Sequence, residues 1–309
     1  MNICCPLCGA EEHIVVYKKV SHITSADIVK CDKCGHYYSF FKKDIEADKL
    51  YNDEVYKIVE NRNSVFDKIL TKEYGKVIRK IISFKPQKGY LMDFGSGKGK
   101  FGSLAKENGW LVKCVETSLE RAAYAKEVYG LDVNTEFYST GNIFNTHFDV
   151  LTLLHVLEHL PRPKPLLKEL ITQNLKRDAL IIIEVPNFSS LQSSIAKDKW
   201  MHLDVPRHLS HFTSESLDKI CNEIGLFQVK KSFFSIHLGV LGMTDSLLKR
   251  LGYKKNIIYE LKNKKSISLR ISILLILPIA ILLEYISSIV GKGGIIRKYF
   301  VFKNVYEKR

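Results

Sequence analysis

Four apolar runs, Tyr90–Phe94, Leu111–Glu116, Phe148–Leu154 and Leu180–Val185, read as strands. Between them, the stretches around Phe101–Asn108, Leu119–Tyr129 and Pro165–Leu175 carry helical spacing. Gly109 and Gly130 stand just past two of these helices, where a C-cap wants a left-handed residue. Strands alternating with helices of this length predict a parallel sheet covered on both faces. Phe227–Ser235 and Ile295–Phe302 predict two further strands. Between those lies Ile271–Leu283, thirteen residues nearly all apolar and interrupted by Pro278. Upstream, Lys42–Ser83 is charged and helical in pattern, with apolar positions at Leu50, Tyr51, Val55, Tyr56, Val59 and Phe66, and Pro86-Gln87-Lys88-Gly89 predicts a turn. The first 38 residues form a small cysteine-bearing module. The expected organisation is therefore a module at 1–40, a helical substrate-lid segment at 41–86 and an α/β domain at 87–309, with an apolar, basic insertion at about 237–292.

Composition narrows the class. With 46% hydrophobic and 26% charged residues in 309, a disordered or collagen-like chain is excluded. Seven cysteines are too few for a disulfide-stapled scaffold. Met1-Asn2-Ile3-Cys4-Cys5 lacks the charged and apolar regions of a signal peptide, so the expectation is a reducing cytoplasm, where paired cysteines hold metal. The net charge of +14 is concentrated at one end, with fourteen Lys/Arg against three acids from Lys249 onward. Lys262, Lys264, Lys265 and Arg270 precede the apolar insertion, and Lys292, Arg297 and Lys298 follow it. That combination fits a helix lying in an anionic membrane interface on the inner face, through residues 262–298. The competing reading buries the helix against the sheet or a dimer partner. Oligomeric state stays open.

Cys5-Pro6-Leu7-Cys8-Gly9 and Cys31-Asp32-Lys33-Cys34-Gly35 are two Cys-x-x-Cys knuckles. A two-residue gap lets both thiolates reach one tetrahedral ion, and each following glycine permits the tight turn. Structural Zn2+ on Cys5, Cys8, Cys31 and Cys34 is the expectation, with no open position for catalysis. Cys4 is a spare, and Cys114 and Cys221 read as buried hydrophobes.

Asp93-Phe94-Gly95-Ser96-Gly97-Lys98-Gly99 puts an acid and three alternate glycines where a strand opens into a helix. Glycines there let backbone approach a ligand, and the helix N-terminus offers amides. Glu116 follows at the end of the next strand, where a carboxylate can take both hydroxyls of a ribose. Gly97-x-Gly99-x-x-Gly102 also satisfies a dinucleotide fingerprint, but an acid two residues before the first glycine suits a cationic amino-acid moiety and repels a pyrophosphate.

These residues, together with Phe148-Asp149-Val150 and His155-Val156-Leu157-Glu158-His159-Leu160, resemble class I S-adenosylmethionine-dependent methyltransferases from Tyr90 to about Lys303. The paired knuckles resemble the zinc ribbon fused to sugar methyltransferases of that superfamily. The resemblance implies a Rossmann-like seven-stranded sheet with S-adenosyl-L-methionine as cofactor. Asp93, Gly95 and Gly97, with Ser96, would hold its methionine end and Glu116 its ribose. His155 would line the cofactor beyond the fourth strand, and Glu136 is the nearest counterpart of the family's adenine-contacting acid.

His155-Val156-Leu157-Glu158-His159 also spells a zinc-protease motif, but it follows a strand directly and Pro161, Pro163 and Pro165 crowd the next turn, so that reading is rejected. Farther on, Trp200-Met201-His202-Leu203-Asp204-Val205-Pro206-Arg207-His208-Leu209-Ser210-His211-Phe212 packs three histidines, an Arg and an Asp beyond a sheet strand, where open α/β folds place ligands. A neutral imidazole suits proton transfer, which makes His208 the first candidate base and His211 the second. Arg207 could grip a phosphate of a nucleotide or polyprenyl carrier. The segment resembles the Glu-His-x-x-Tyr-Phe stretch of ketosugar C-methyltransferases, with Arg207 for Glu and His211 for Tyr, so O- and C-methylation both stay open.

The expected acceptor is a sugar of a nucleotide- or lipid-linked glycan. Quinone or lipid O-methylation is the alternative. RNA methylation lacks an Asn-Pro-Pro-Tyr-like motif and has its charge at the wrong end, and a non-enzymatic zinc adaptor would not need Asp93, Glu116 and the glycine loop together.

Overall fold

The structure, a computed structural model, describes residues 4–20, 26–41, 64–255, 257, 260 and 267–306. Leu50 to Val59 of the expected helical segment, and Lys262, Lys264 and Lys265, lie outside the described residues.

Three antiparallel strands, β1 (His13–Tyr17), β2 (Ala26–Cys31) and β3 (Tyr37–Phe41), form the N-terminal ribbon. The helix α1 (Val65–Phe84) then begins on Ser64, whose side chain accepts from the amide of Asp67. Its apolar stripe of Val77, Ile78 and Ile81 packs with Leu91, Phe101, Trp110 and Tyr299. The described part of the expected lid segment is thus a core helix, because its stripe completes one face of the sheet.

That sheet contains β4 (Tyr90–Phe94), β5 (Leu111–Val115), β6 (Asp132–Asn134), β7 (Phe148–Leu154), β8 (Leu175–Pro186), β10 (Leu226–Ser232) and β11 (Ile295–Phe302), in the order β10-β11-β8-β7-β4-β5-β6. Only β11 runs antiparallel to its neighbours. Helices α2 (Lys100–Glu107), α3 (Leu119–Tyr129), α4 (Pro163–Asn174) and α6 (Ser214–Glu223) supply the crossovers, while α5 (Leu191–Ala196) follows β8. This is the Rossmann-like, seven-stranded architecture expected from the sequence. The direction of strand order reverses at β4 and β7, whose carboxyl ends open the crevice where such folds bind ligands.

The strand β9 (Ser210–His211) belongs to a different sheet. It pairs antiparallel with β3, Tyr37 opposite His211 and Tyr38 opposite Ser210, and makes the ribbon four-stranded.

After β10, a helical turn (Ile236–Val240) leads into α7 (Leu241–Arg250) and then α8 (Ile267–Ile289). The helix α8 continues through Pro278, which is exposed. Among the described residues it is one helix long and apolar enough to cross a membrane, with mean hydropathy 2.2. Leu269, Ala280, Glu284 and Ser287 are buried, and Ile273 and Ile276 are partly so. These positions recur every three or four residues along the whole length, so one stripe lies flat on the protein body. The opposite face exposes Ile271, Leu274, Leu275, Ile279, Leu282 and Ile286, each at least 50% accessible. The helix is therefore buried along one stripe only, and that stripe packs on α7, the Ile236–Val240 turn and α5 instead of the sheet.

Candidate active site

Asp93 ends β4 and is 2% exposed. Its Oδ1 accepts from Thr152 Oγ1 at 2.7 Å across the sheet, whereas Oδ2 has no hydrogen-bond partner. Burial, reinforced by the charge of Glu116 and opposed by the Thr152 hydrogen bond, pushes the Asp93 carboxyl up to about 7. A buried acceptor with a free lone pair calls for a donor, and an ammonium group would both satisfy it and restore its ionisation.

Gly95 has φ +75, and a Cβ there would stand 2.5 Å from Val156 Cγ2. At Gly97, with φ +54, no heavy atom lies within 4 Å of a Cβ position, so bare backbone faces open space. The amides of Gly95 and Ser96 donate to the carbonyl of Val115, and Gly97 N–H donates to Glu116 Oε2 at 2.8 Å. These three amides are thus engaged within the protein, and the loop offers close approach instead of free donors. Glu116 is nearly buried, and its Oε1 accepts from Ser118 N–H at 2.8 Å. Each oxygen accepts one bond and keeps a further lone pair, so the carboxylate can still receive two hydroxyls. Glu136 lies exposed beyond β6, its amide donating to Asn134 Oδ1.

His155 follows β7 with φ +60. Its Nδ1 meets Glu158 Oε1 at 3.2 Å and its Nε2 meets Glu184 Oε1 at 2.9 Å. Burial alone would depress this imidazole, but the two carboxylates overcome it and hold it near 10, so it is a fixed cation. Glu184 interrupts the apolar run Ile181–Val185, and its register partner on β11 is Arg297, whose Nε donates to Glu184 Oε2. The sequence carried that signal, since a lone acid inside an apolar parallel strand demands a buried cation.

The acceptor loop holds His208, 7% exposed, with Nδ1 donating to the carbonyl of His202 at 2.8 Å and Nε2 lying 3.7 Å from Asp204 Oδ2. Arg207 donates Nε and Nη2 to the two oxygens of Asp204, and its carbonyl accepts from His159 Nδ1 at 3.1 Å. The rings of His159 and His208 meet edge to face, centroids 4.6 Å apart. Burial, then the neighbouring His208, lowers His159 to about 4. His211, in contrast, sits in β9 with its Nε2 3.0 Å from Ser39 Oγ, at the seam with the ribbon. Ser39 also donates to the carbonyl of His208 at 2.7 Å, so the ribbon grips this loop directly.

In the ribbon, Cys5 Sγ lies 3.5 Å from Cys34 Sγ, and Cys8 Sγ 3.5 Å from Cys31 Sγ. A disulfide would need about 2.0 Å. Four sulfurs about 2.3 Å from one ion stand about 3.8 Å apart, so the all-thiol set fits tetrahedral zinc. Cys4 is outside the cluster, and Cys114 and Cys221 are fully buried.

A methyltransferase-domain family matches residues 66–230, more than half of the chain. This chain belongs to that family. Among solved structures, the methyltransferase resembles the plantazolicin methyltransferase BpumL in complex with SAH, 12% identical over 82% of this chain and 93% of that one, TM-score 0.50. A SAM-dependent methyltransferase from Archaeoglobus fulgidus is 21% identical over 76% and 93% of the two chains, TM-score 0.48. No curated protein matches. The family together with the seven-stranded sheet makes the chain a class I S-adenosylmethionine-dependent methyltransferase.

Of the residues singled out in the sequence, Asp93, Gly97 and Glu116 gather at the carboxyl ends of β4 and β5, and His155 stands at the end of β7. His208 and Arg207 share one loop cluster, and His211 is apart from it in β9. Sequence reasoning missed Thr152 and Glu184, and it read Arg297 and Lys298 as flanks of a membrane helix, whereas both are buried in β11, Arg297 against Glu184 and Lys298 against Ser214 and Asp218. It read Glu158 and His159 as part of the family resemblance and of a rejected protease motif and gave them no role, although a Glu-His pair just past a sheet strand is itself a signal.

Proposed function

We propose that this methyltransferase O-methylates a sugar of a lipid-linked glycan at an anionic membrane surface on the cytoplasmic side, with structural zinc in the ribbon. The observation that carries the reading is the apolar outer face of α8, coupled to the acceptor loop through one amide. Gln192 donates to Glu284 of α8 at 3.1 Å and accepts from Trp200 Nε1 at 3.1 Å. A helix with one face on the protein and the other bare is suited to lie in the interfacial plane, and the exposed basic residues Arg270 and Lys292 near its two ends suit anionic headgroups.

Bound S-adenosylmethionine supplies an electrophilic methyl group on a sulfonium. Asp93 Oδ2 would hold its ammonium and Glu116 its ribose hydroxyls, with the bare backbone of Gly97 open beside them. Nε2 of His208 would take the proton of the acceptor hydroxyl, leaving its oxygen to receive the methyl group. Since His208 Nδ1 already donates to a carbonyl, that Nε2 is the lone-pair nitrogen of the neutral ring. His155, held cationic between two carboxylates, fixes the charge of the pocket wall instead of moving a proton. The rate gain comes from holding acceptor and methyl group in register.

The test is methyl transfer from radiolabelled cofactor to membrane lipid extracts, lipid-linked sugars and quinones, with flotation of the protein on anionic vesicles. Labelled glycolipid, together with flotation lost in Leu274→Asp/Leu282→Asp, is the expected result. Labelled quinone would favour the lipid O-methyltransferase, which the same apolar face also suits. His208→Ala should bind S-adenosylhomocysteine and not turn over; retained turnover removes the base assignment.

A further inference from the structure

Glu158, His159 and His208 present one ligand atom each within 4.8 Å of one another. In both histidines Nδ1 faces a backbone carbonyl, Arg207 O for His159 and His202 O for His208, so each Nδ1 carries the proton and each Nε2 is left as a lone-pair donor. Ligating imidazoles are oriented in this way, with the second nitrogen anchored to a carbonyl or carboxylate. Glu158 is 1% exposed, its Oε1 meets His155, and its Oε2 is buried with no hydrogen-bond partner. A buried carboxylate oxygen without a partner among the described residues, on a side chain clustered with two anchored imidazoles, is costly unless a cation meets it. Asp204 Oδ2, 3.7 Å from His208 Nε2, adds a second carboxylate beside the cluster.

We propose that Glu158, His159 and His208 bind a divalent first-row transition ion that coordinates the acceptor hydroxyl during methyl transfer. The proposal rests on the methyl-transfer reading above and replaces its assignment of His208 as base. An ion about 2.0–2.2 Å from each ligand would bring the donors to about 3.0–3.5 Å of one another, a contraction of about an ångström that side-chain torsions supply. Two nitrogens and one carboxylate oxygen leave coordination positions open, in contrast to the closed four-sulfur set of the ribbon. The coordinated hydroxyl gives up its proton more readily because the ion stabilises the alkoxide, which then bonds to the methyl carbon as the carbon–sulfur bond breaks. The released proton goes to solvent, and His208 serves as ligand in place of base.

Manganese separates this site from the ribbon, because thiolates favour zinc while a nitrogen and carboxylate set accepts Mn2+. After dialysis of the full chain against EDTA, titration with Mn2+ followed by electron paramagnetic resonance should show one ion bound per chain at micromolar concentration. Glu158→Gln, His159→Ala and His208→Ala should each weaken it at least about tenfold while still binding S-adenosylhomocysteine, which certifies the fold. His159→Gln provides a milder variant should His159→Ala not fold. The chelated enzyme should lose turnover and regain it with Mn2+ or Co2+. Absence of Mn2+ binding below millimolar concentration, or binding indifferent to all three substitutions, overturns the proposal. Full turnover after chelation, with none in His208→Ala, overturns the ion and leaves His208 as base. Tight Mn2+ binding without methylation of any glycan leaves the site standing and overturns the acceptor.

Discussion

Asp93→Asn removes a charge that its surroundings disfavour, and the consequences can be worked out. The carboxyl, almost fully buried, is held near 7 mainly by desolvation. An arriving ammonium group favours the ionised form, so cofactor binding should expel the proton. With a midpoint near 7, roughly nine in ten molecules carry that proton at pH 6 and one in ten at pH 8. Affinity for S-adenosylhomocysteine should therefore rise roughly tenfold across that interval. Calorimetry in two buffers of different ionisation enthalpy should count about 0.9 proton released at pH 6. In Asp93→Asn the affinity should be flat with pH, with no proton released, and at pH 8 weaker by about 1.5–3 kcal/mol, or about 10- to 150-fold. Stability should move the other way. A folded-state value raised from 3.8 to about 7 means that the wild type loses stability as pH rises through 7, by at most about 4 kcal/mol. The variant should accordingly melt higher than wild type at pH 8 and similarly at pH 4. Affinity indifferent to pH in the wild type, or equal affinity in the variant, would refute this reasoning.

Arg297→Met should cost about 3–5 kcal/mol in urea denaturation, because Glu184 would be left buried with His155 as its remaining cation. The raised value of His155 makes its contribution complete below pH 6.5 and lost as pH climbs towards 10, so the wild-type melting temperature should fall over that range and His155→Gln should flatten the fall. In Cys31→Ser, or after zinc removal with a strong chelator and thiol reagent, acceptor turnover should drop while S-adenosylhomocysteine affinity holds. The ribbon touches the loop bearing His208, whereas the glycine loop is held by Val115 and Glu116, and paired turnover and calorimetric measurements check the split.

What the sequence made legible was local. Tyr90–Phe94, Leu119–Tyr129 and Ile295–Phe302 have the stated bounds because turn and cap residues delimit them, Gly89 and Gly95, Ser118 and Gly130, and Gly294. The Asp93 loop and Glu116 stand at fixed spacing from strand ends, and the four cysteines announce themselves in pairs. Long-range pairing was not legible. Glu184 and Arg297 are 113 residues apart and meet only through strand register. A two-residue strand such as β9 has no period, and its existence depends on the edge of β3. The helix α1 looked like a lid because Trp110 and Tyr299, which bury it, come from distant segments. In α8 the helix persists past Pro278 because the proline sits on the exposed side, and the stripe anchored by Ala280, Glu284 and Ser287 holds the following turns.

The pairing of β3 with β9 also sets an order of events during synthesis. Strands β1 to β3 are complete once Phe41 has emerged, but Ser39 waits for His211, 172 residues later. At about 5–20 residues per second that interval is about 10–35 s. Throughout it the outer edge of the nascent ribbon offers unpaired amides and carbonyls to any extended segment nearby. The same segment of a second nascent chain, exposed on a neighbouring ribosome, has the matching sequence. Exchange of Ser210–His211 between chains is thus the misassembly to which this architecture is most open, and crowded expression is where it would surface.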